Sequence, residues 1–327
     1  MNKSLISVLL PVYNGEEFVK QAIESILNQT YENFELIIID DGSTDVSASI
    51  IQKMVDKRIS FYKQNNQGLA KTLNRAISLS KGKYLARHDQ DDLSHPQRFE
   101  KQVSFLESHP HHGMVGTWAQ ILWQEENNHK NVITHPAESL ILKFGLLLGN
   151  PFVHSSMMIR RDVFENVGLY STDKSRQPPE DYELWSRIAR AYEIANIPEY
   201  LQIYRATPSS MTRAAVNPFM EQDYLIMTEN LSYALGSETP DLIITDIAAL
   251  RCNAYHKLSA DPRLSAMKAV LYKLAGRLSM INGASRDSLR NLVPHYYHAL
   301  QCSYVHFRYG KILSDLLSYW YRIINKI

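Results

Sequence analysis

Cysteine, glycine-rich turns and unbroken apolar sequence are all scarce in this chain, and each scarcity excludes something. Of 327 residues only two are cysteine, Cys252 and Cys302, with no CxxC spacing. That speaks against a disulfide framework and fits a reducing compartment. No run of about 18 uncharged apolar residues, the length a membrane span needs, is present. The richest tract, LILKFGLLLG, is short and carries Lys143. The N-terminal run from Leu5 to Val12 is too short for the hydrophobic region of a signal peptide. A soluble, cytoplasmic protein is expected, one that at most lies on a membrane surface. Charge of one sign is missing as well. The net charge of +1 offers no global case for nucleic acid as a partner. Neither a GxGxxG turn nor a GxxxxGK[ST] loop occurs, which disfavours dinucleotide redox chemistry and P-loop phosphate binding. There is no internal repeat and no low-complexity tract.

What the first hundred residues do contain is an alternation of strands and helices. LISVLLPVY is a short apolar run without helical period, as expected of a strand buried on both faces. EEFVKQAIESILNQ places Phe18, Val19, Ala22, Ile23 and Ile26 on one helical face. FELIIID reads as a second strand, closed by DGSTD, where Ser43 or Thr44 is expected to cap a helix reaching Met54. ISFYKQ, GLAKTLNRAISLS and YLARHD continue the pattern as strand, helix and strand. This order predicts an α/β fold, an open and mostly parallel sheet flanked by helices. Beyond Pro110, GMVGTWAQILW reads as a long strand, HSSMMIRRDVFENVG as a strand and short helix, DYELWSRIARAY as an amphipathic helix, and EIANIPEYLQIYR as one or two strands. From about Asn217 the chain is helical, punctuated by Pro218, Pro240, Pro262 and Pro294.

Open α/β sheets bind ligands beyond the carboxyl ends of their strands. The residues that follow the strands here are Tyr13 and Asn14, Asp40 and Asp41, Asn65 to Gln67, and Asp89 to Asp92, so one sheet edge should be densely polar. Asp89, Asp91 and Asp92 lie within four positions. Like charges this close raise one another's pKa unless a cation sits among them. A bare DxD leaves two readings open, an acidic helix cap in water and a cation site. An edge with carboxylates but no phosphate-cradling loop suits a hard divalent cation, Mn²⁺ or Mg²⁺, bridging to a diphosphate. HPHHG, from His109, contains Pro110 and lacks a second ligand cluster, which makes it a weak metal candidate.

Three segments, ISVLLPVYNGEEFVKQAIESILNQTYENFELIIIDDGSTD, NNQGLAKTLNRAISLSKGKYLARHDQDD and PPEDYELWSRIA, closely resemble the family 2 glycosyltransferases, inverting nucleotide-sugar enzymes with the GT-A fold. The resemblance runs from about Leu5 to Met211 and leaves the helical C-terminal extension unexplained. It implies a nucleotide-sugar-binding half over residues 1–110 and an acceptor-binding half over 111–216, and the residues themselves give a helical region over 217–327. Carried over residue by residue, it implies that Pro11, Tyr13 and Glu16 line the base and that Asp41 accepts from uracil N3–H. Asn66, Gly68 and Lys71 would lie beside base and ribose. Asp89, with Arg87 as its partner, would touch ribose or a metal-bound water, and Asp91 would ligate Mn²⁺ or Mg²⁺. Asp92 is left as a helix cap or a ligand-orienting neighbour. The acidic pair before the amphipathic helix points to Asp181 as the base that deprotonates the acceptor hydroxyl. Glu180 is the alternative, and an acidic helix N-terminus is the structural reading of both.

His154 is implied as an acceptor or phosphate contact, and Trp185 as an acceptor platform or a core residue. Where many relatives have a histidine after the arginine of YRATPSS, this chain has Thr207, which leaves the diphosphate to the cation and to Arg205 or Arg213. The QxxRW signature and membrane spans of processive synthases are absent, so transfer of a single sugar is expected. The implied function is inverting, metal-dependent transfer from a nucleotide sugar, a UDP-sugar, to a glycan or lipid-linked acceptor in bacterial surface polysaccharide or lipopolysaccharide assembly. A nucleotidyltransferase is disfavoured because PVYNGEEF has no Arg or Lys, and a non-catalytic scaffold because Asp91 and Asp181 are both present.

The tail FRYGKILSDLLSYWYRIINKI, taken as one helix, gathers Arg308, Lys311, Asp315, Arg322 and Lys326 on a polar face. Leu313, Leu316, Leu317, Trp320, Tyr321, Ile323 and Ile324 form a wide apolar one. It reads either as a helix docked on its own domain or a dimer partner, or as an in-plane membrane helix.

Overall fold

In the computed structural model, which describes residues 3–123, 131–206 and 219–325, strands and helices alternate from the start. They are β1 (Ile6–Val12), α1 (Val19–Leu27), β2 (Phe34–Asp40), α2 (Ser47–Gln52), β3 (Ile59–Lys63), α3 (Leu69–Leu79), β4 (Tyr84–Arg87), β5 (Leu93–Ser94) and α4 (Arg98–Ser108). There follow β6 (His112–Trp123), β7 (Val132–Ile133), α5 (Ser139–Leu146), β8 (Met158–Arg160), α6 (Arg161–Val167), α7 (Glu180–Ala191) and β9 (Glu193–Ala206). Helices α8 (Met220–Leu235), α9 (Leu242–Cys252), α10 (Leu264–Ile281), α11 (Val293–Tyr309) and α12 (Lys311–Asn325) complete the chain.

The strands form one sheet in the order β3-β2-β1-β4-β8-β6-β9-β5, with β7 on β6. From β3 to β4 the pairing is parallel; β8 then runs antiparallel to both β4 and β6, and β6 pairs parallel with β9. β1 is covered on both faces, which is why its sequence shows no alternation. Val19, Ala22, Ile23 and Ile26 of α1 are fully buried, at about 1.5–3 kcal/mol for each larger side chain. Phe18, expected on that face, instead precedes the helix and lies under the Arg205 guanidinium, 4.4 Å from its ring centroid. The expected cap of α2 is also corrected. Val46 holds the N-cap position without a side-chain bond, because Ser43 and Thr44 are engaged with Asn14 instead.

Two compact units result, and the first holds the whole sheet. The second comprises the helices from α8 onward together with Lys143–Asn150 and Lys174–Tyr182. Within it Tyr182 Oη donates to the Leu146 carbonyl at 2.9 Å, and Asp241 caps α9 by accepting from the Ile243 and Ile244 amides, both at 2.9 Å. The tail is not one helix. Gly310, at φ +87°, ends α11 and restarts the chain as α12, a left-handed conformation that favours glycine. Arg308 therefore sits on α11, apart from the polar stripe expected of it, and Lys326 lies outside the described residues. Leu317 and Tyr321 turn to the packed side of α12, where Tyr321 stacks on His298 at 3.7 Å.

Candidate functional site

β1 is the only strand among the first four with a later strand on each side, β2 on one and β4 on the other, so the topology switches at its carboxyl end. Gln90, which separates Asp89 from Asp91 in the acidic triplet Asp89, Asp91 and Asp92, clamps that switch. Its Oε1 accepts from Tyr13 N at 2.8 Å and its Nε2 donates to Tyr13 O at 3.0 Å. A Cβ on Gly15 would come within 2.6 Å of Gln90 Oε1, so glycine is what lets the clamp close. The turn after β1 is tied in the same way to the turn after β2. Asn14 N donates to Ser43 Oγ at 3.0 Å, Glu16 N to Asp45 Oδ2 at 3.0 Å, and Val46 N to Glu16 Oε2 at 3.0 Å.

Asp41 is buried and fastens a third loop. Its Oδ1 accepts from Gln67 N at 2.9 Å and Gln64 Nε2 at 2.6 Å, and its Oδ2 accepts from Gly68 N at 2.9 Å. Gly68, at φ +85°, is the N-cap of α3, and Lys71 stands exposed in that helix's first turn. Asn66 is exposed, Pro11 half-buried in β1, and the ring of Tyr13 is exposed beside the clamp. The sequence pattern places Tyr13, Asp41, Asn66 and Asp89 to Asp92 at the carboxyl edge of the sheet, and the loops that carry them are hydrogen-bonded to one another there.

The carboxylates of the triplet have separate environments. Asp89 pairs with the buried Arg87 guanidinium, Nη2 to Oδ1, at 2.6 Å. Asp92 is buried and accepts from Ser155 Oγ and, at 2.9 Å, from Arg205 N. Burial first, then Asp89 and Asp91, push it up to about 8. It is no helix cap, since α4 begins six residues later behind Gln97. Asp91 lies between them, half-buried, and its carboxylate receives no side-chain donor among the described residues. Burial and then the neighbouring Asp89 raise it to about 6. A half-buried carboxylate held beside a second one is a place where added positive charge is favourable.

Beneath the triplet lies Arg98, fully buried. It donates to Gln102 Oε1 (3.1 Å), Ser94 Oγ (2.9 Å), Gln202 Oε1 (3.0 Å) and the carbonyls of Arg87 (2.8 Å) and Met157 (3.3 Å). Burial lowers its pKa to about 9, and the charge of Asp92 opposes that shift. Arg205 donates to the Asp91 carbonyl at 2.9 Å and to Gln21 Oε1 at 2.8 Å, so its guanidinium positions the loop. Among the described residues no three His, Cys, Asp or Glu side chains are grouped to hold a metal unaided. One or two carboxylates completed by substrate phosphates is, however, the usual Mg²⁺ arrangement, and Asp91 with Asp89 fits it.

On the far side of β4, His154 Nε2 lies 3.1 Å from Tyr170 Oη, and burial, with Arg87 nearby, holds the imidazole well below its ordinary value, hence neutral. Trp185 is a correction. It is fully buried, edge-on to Phe152, His154 and Tyr170, so it has no face to offer an acceptor and serves as core. Asp181 belongs to the second unit. There its Oδ2 accepts from Asn150 Nδ2 at 2.8 Å and its Oδ1 from Tyr182 N at 2.7 Å, while Glu180 is buried. Thr207 and Arg213 lie outside the described residues. His109 is taken up by Phe105, stacking on its ring at 4.2 Å and bonding its carbonyl at 2.9 Å.

Gln90, Arg98 and Ser155 were missed by sequence reasoning. Only Gln90 carried a signal there, as the residue between two carboxylates at a strand end.

The glycosyl transferase family 2 model matches residues 7–168. An uncharacterized glycosyltransferase of Haemophilus influenzae is 31% identical over 283 residues, covering 84% of this chain and 86% of that protein. The amylovoran biosynthesis glycosyltransferase AmsE of Erwinia amylovora is 30% identical over 208 residues, 62% of this chain and 76% of its own. Among solved structures, S. aureus TarS 1-349 in complex with UDP superposes with a TM-score of 0.57 at 16% identity, over 93% of this chain and 91% of that one. The mannosyltransferase PcManGT of Pyrobaculum calidifontis, in complex with GDP-Man and Mn²⁺, gives 0.54 at 17% identity, over 97% and 86%. At such identities the two structures speak for a shared GT-A-type fold.

Proposed function

Since this chain belongs to glycosyl transferase family 2, we propose that it transfers one sugar, with inversion, from a UDP-sugar to a glycan or lipid-linked acceptor, using Mn²⁺ or Mg²⁺. The observation that carries the reading is Asp91, half-buried at the β1–β4 switch without a side-chain donor among the described residues and raised to about 6 by burial and then Asp89. A divalent cation there supplies charge neutralisation to the leaving diphosphate. Tyr13 offers an aromatic face to the base, an interaction of about 1 kcal/mol. Asp41 shapes the base side of the site by holding Gln67 and Gly68, with a carboxylate lone pair left over for uracil N3–H. Asp89 meets the ribose while anchored by Arg87.

Asp181 takes the proton of the acceptor hydroxyl, an assignment that rests on the PPEDYELW motif. Asn150 fixes one of its oxygens, which limits rotation of the carboxylate. His154, as a neutral imidazole, offers a hydrogen bond to acceptor or phosphate. The name of AmsE, together with the family, supports a place in polysaccharide biosynthesis and a cytoplasmic setting where nucleotide sugars are made.

The test is release of nucleoside diphosphate from a panel of nucleotide sugars with Mn²⁺ present. Release that stops with EDTA and returns with Mn²⁺ or Mg²⁺ supports the reading. Exchange of pyrophosphate into the nucleotide would make the protein a nucleotidyltransferase, and full activity after prolonged dialysis against EDTA would remove the cation from the account.

A further inference from the structure

The last part of the helical C-terminal region carries a charge that the whole-chain balance conceals. From Arg263 to Ile327 there are ten Lys or Arg and two Asp, a net +8, so the first 262 residues hold 25 cations against 32 anions, a net −7. Nine of the ten cations, among them Lys273, Arg277, Lys311 and Arg322, are exposed, and the tenth lies outside the described residues.

Within this basic stretch α12 is split lengthwise. Ser314, Leu317, Ser318 and Tyr321 face inward, with Ser314 Oγ donating to the Cys302 carbonyl at 2.8 Å and Tyr321 stacked on His298. At about 100° per residue, Ile312, Leu313, Leu316, Tyr319 and Trp320 share an arc of about 120° on another side. That arc is open: Ile312 is 78% exposed, Tyr319 62% and Trp320 59%. Lys311 and Arg322, together with the anionic Asp315, fall on the stripe along one side of it. The ridge is thus apolar, aromatic toward its end and flanked on one side by two cations and one anion, and no described segment of this chain covers it.

From this we infer that α12 is a docking helix for an anionic lipid surface, lying in the plane of the interface. An aliphatic and aromatic face set in a net basic segment is the composition that binds there. Charge decides against a second copy of the chain as the occupant. A symmetric partner would bring its own net-basic 263–327 segment up to this one, whereas an anionic leaflet complements it. No helix among the described residues is long and apolar enough to cross a membrane, so the contact is peripheral. The inference stands apart from the transferase reading, because vesicle binding is measured without donor or acceptor.

Flotation of the full chain with vesicles tests it, comparing phosphatidylcholine alone with phosphatidylcholine containing phosphatidylglycerol. Binding is expected to the anionic vesicles only, and about fivefold weaker for each cation removed by Lys311→Gln or Arg322→Gln. The double variant Leu316→Ser/Trp320→Ser should lose binding while keeping its thermal unfolding midpoint, since both side chains are exposed. Trp320 emission should shift to the blue on anionic vesicles. Three results would overturn the proposal: no flotation of the wild type, flotation of the ridge variant equal to wild type, or a ridge-dependent dimer in sedimentation that binds no vesicles.

Discussion

The sheet unit and the helical unit spend their polar residues differently. At the β1–β4 edge, Asp41, Gln90 and Asp92 each fasten one chain segment to another, while Asp91, alone of Asp89, Asp91 and Asp92, has no side-chain donor among the described residues. In the helical unit the described cations from Arg263 onward are exposed, and an apolar ridge is exposed beside Lys311 and Arg322. A site for a small charged ligand needs the first arrangement, because preorganised groups lose little freedom when it binds. An extended surface that meets another extended surface needs the second. The lesson is that unengaged groups are informative in both units, but a buried one indicates a ligand and an exposed row of them indicates a surface.

The largest expected effects lie in the sheet unit. Asp91→Asn keeps shape and removes charge, and turnover should fall by at least about 10³-fold, with loss of metal dependence. Asp181→Asn should reduce turnover by at least about 10²-fold while donor binding stays nearly unchanged. If Glu180→Gln shows that loss instead, the base is one residue earlier. Gly15→Ala forces the Gln90 clamp open, and donor KM should rise about tenfold, the worth of about two neutral hydrogen bonds. Gln90→Ala alone should match it, and the double variant should be no worse than either, because one clamp is lost in each case.

How far these features were legible depended on where their partners sit in the chain. β1 and β2 were visible as runs buried on both faces, and α1 by the spacing of Val19, Ala22, Ile23 and Ile26. Asp91 was visible because it follows a strand. Arg98 and Ser155 were not, since Ser155 bonds Asp92, 63 residues away, and Arg98, beside its local partners Ser94 and Gln102, is fixed in the core by Gln202, 104 residues away. Trp185 read as either an acceptor platform or core, and tertiary packing makes it core. Gly310 lay in plain view, but the apolar period before and after it agreed well enough to read through the break.

Smaller effects distinguish the units by stability. Asp241→Ala removes the cap of α9, and the helical unit should lose about 1 kcal/mol, read from chemical denaturation. Acid should act on the sheet unit. Asp56 is lowered to about 2, first by its hydrogen bond from Arg58, and Glu107 to about 2, first by Lys83. Groups lowered in this way stabilise the fold above their ordinary values of 3.8 and 4.5 and lose that contribution as pH falls through about 2. The denaturation midpoint should therefore drop between pH 4.5 and pH 2. Asp56→Asn/Glu107→Gln should flatten the drop, modestly, because both pairs are partly exposed to water.

The central claim is that Asp91 makes the β1–β4 edge a cation-dependent nucleotide site. Calorimetric titration of UDP into the protein, with Mn²⁺ and with EDTA, tests it on wild type and Asp91→Asn side by side. The account predicts that Mn²⁺ strengthens UDP binding to the wild type and makes no difference to Asp91→Asn, which still binds UDP weakly. Equal strengthening by Mn²⁺ in both proteins would contradict it.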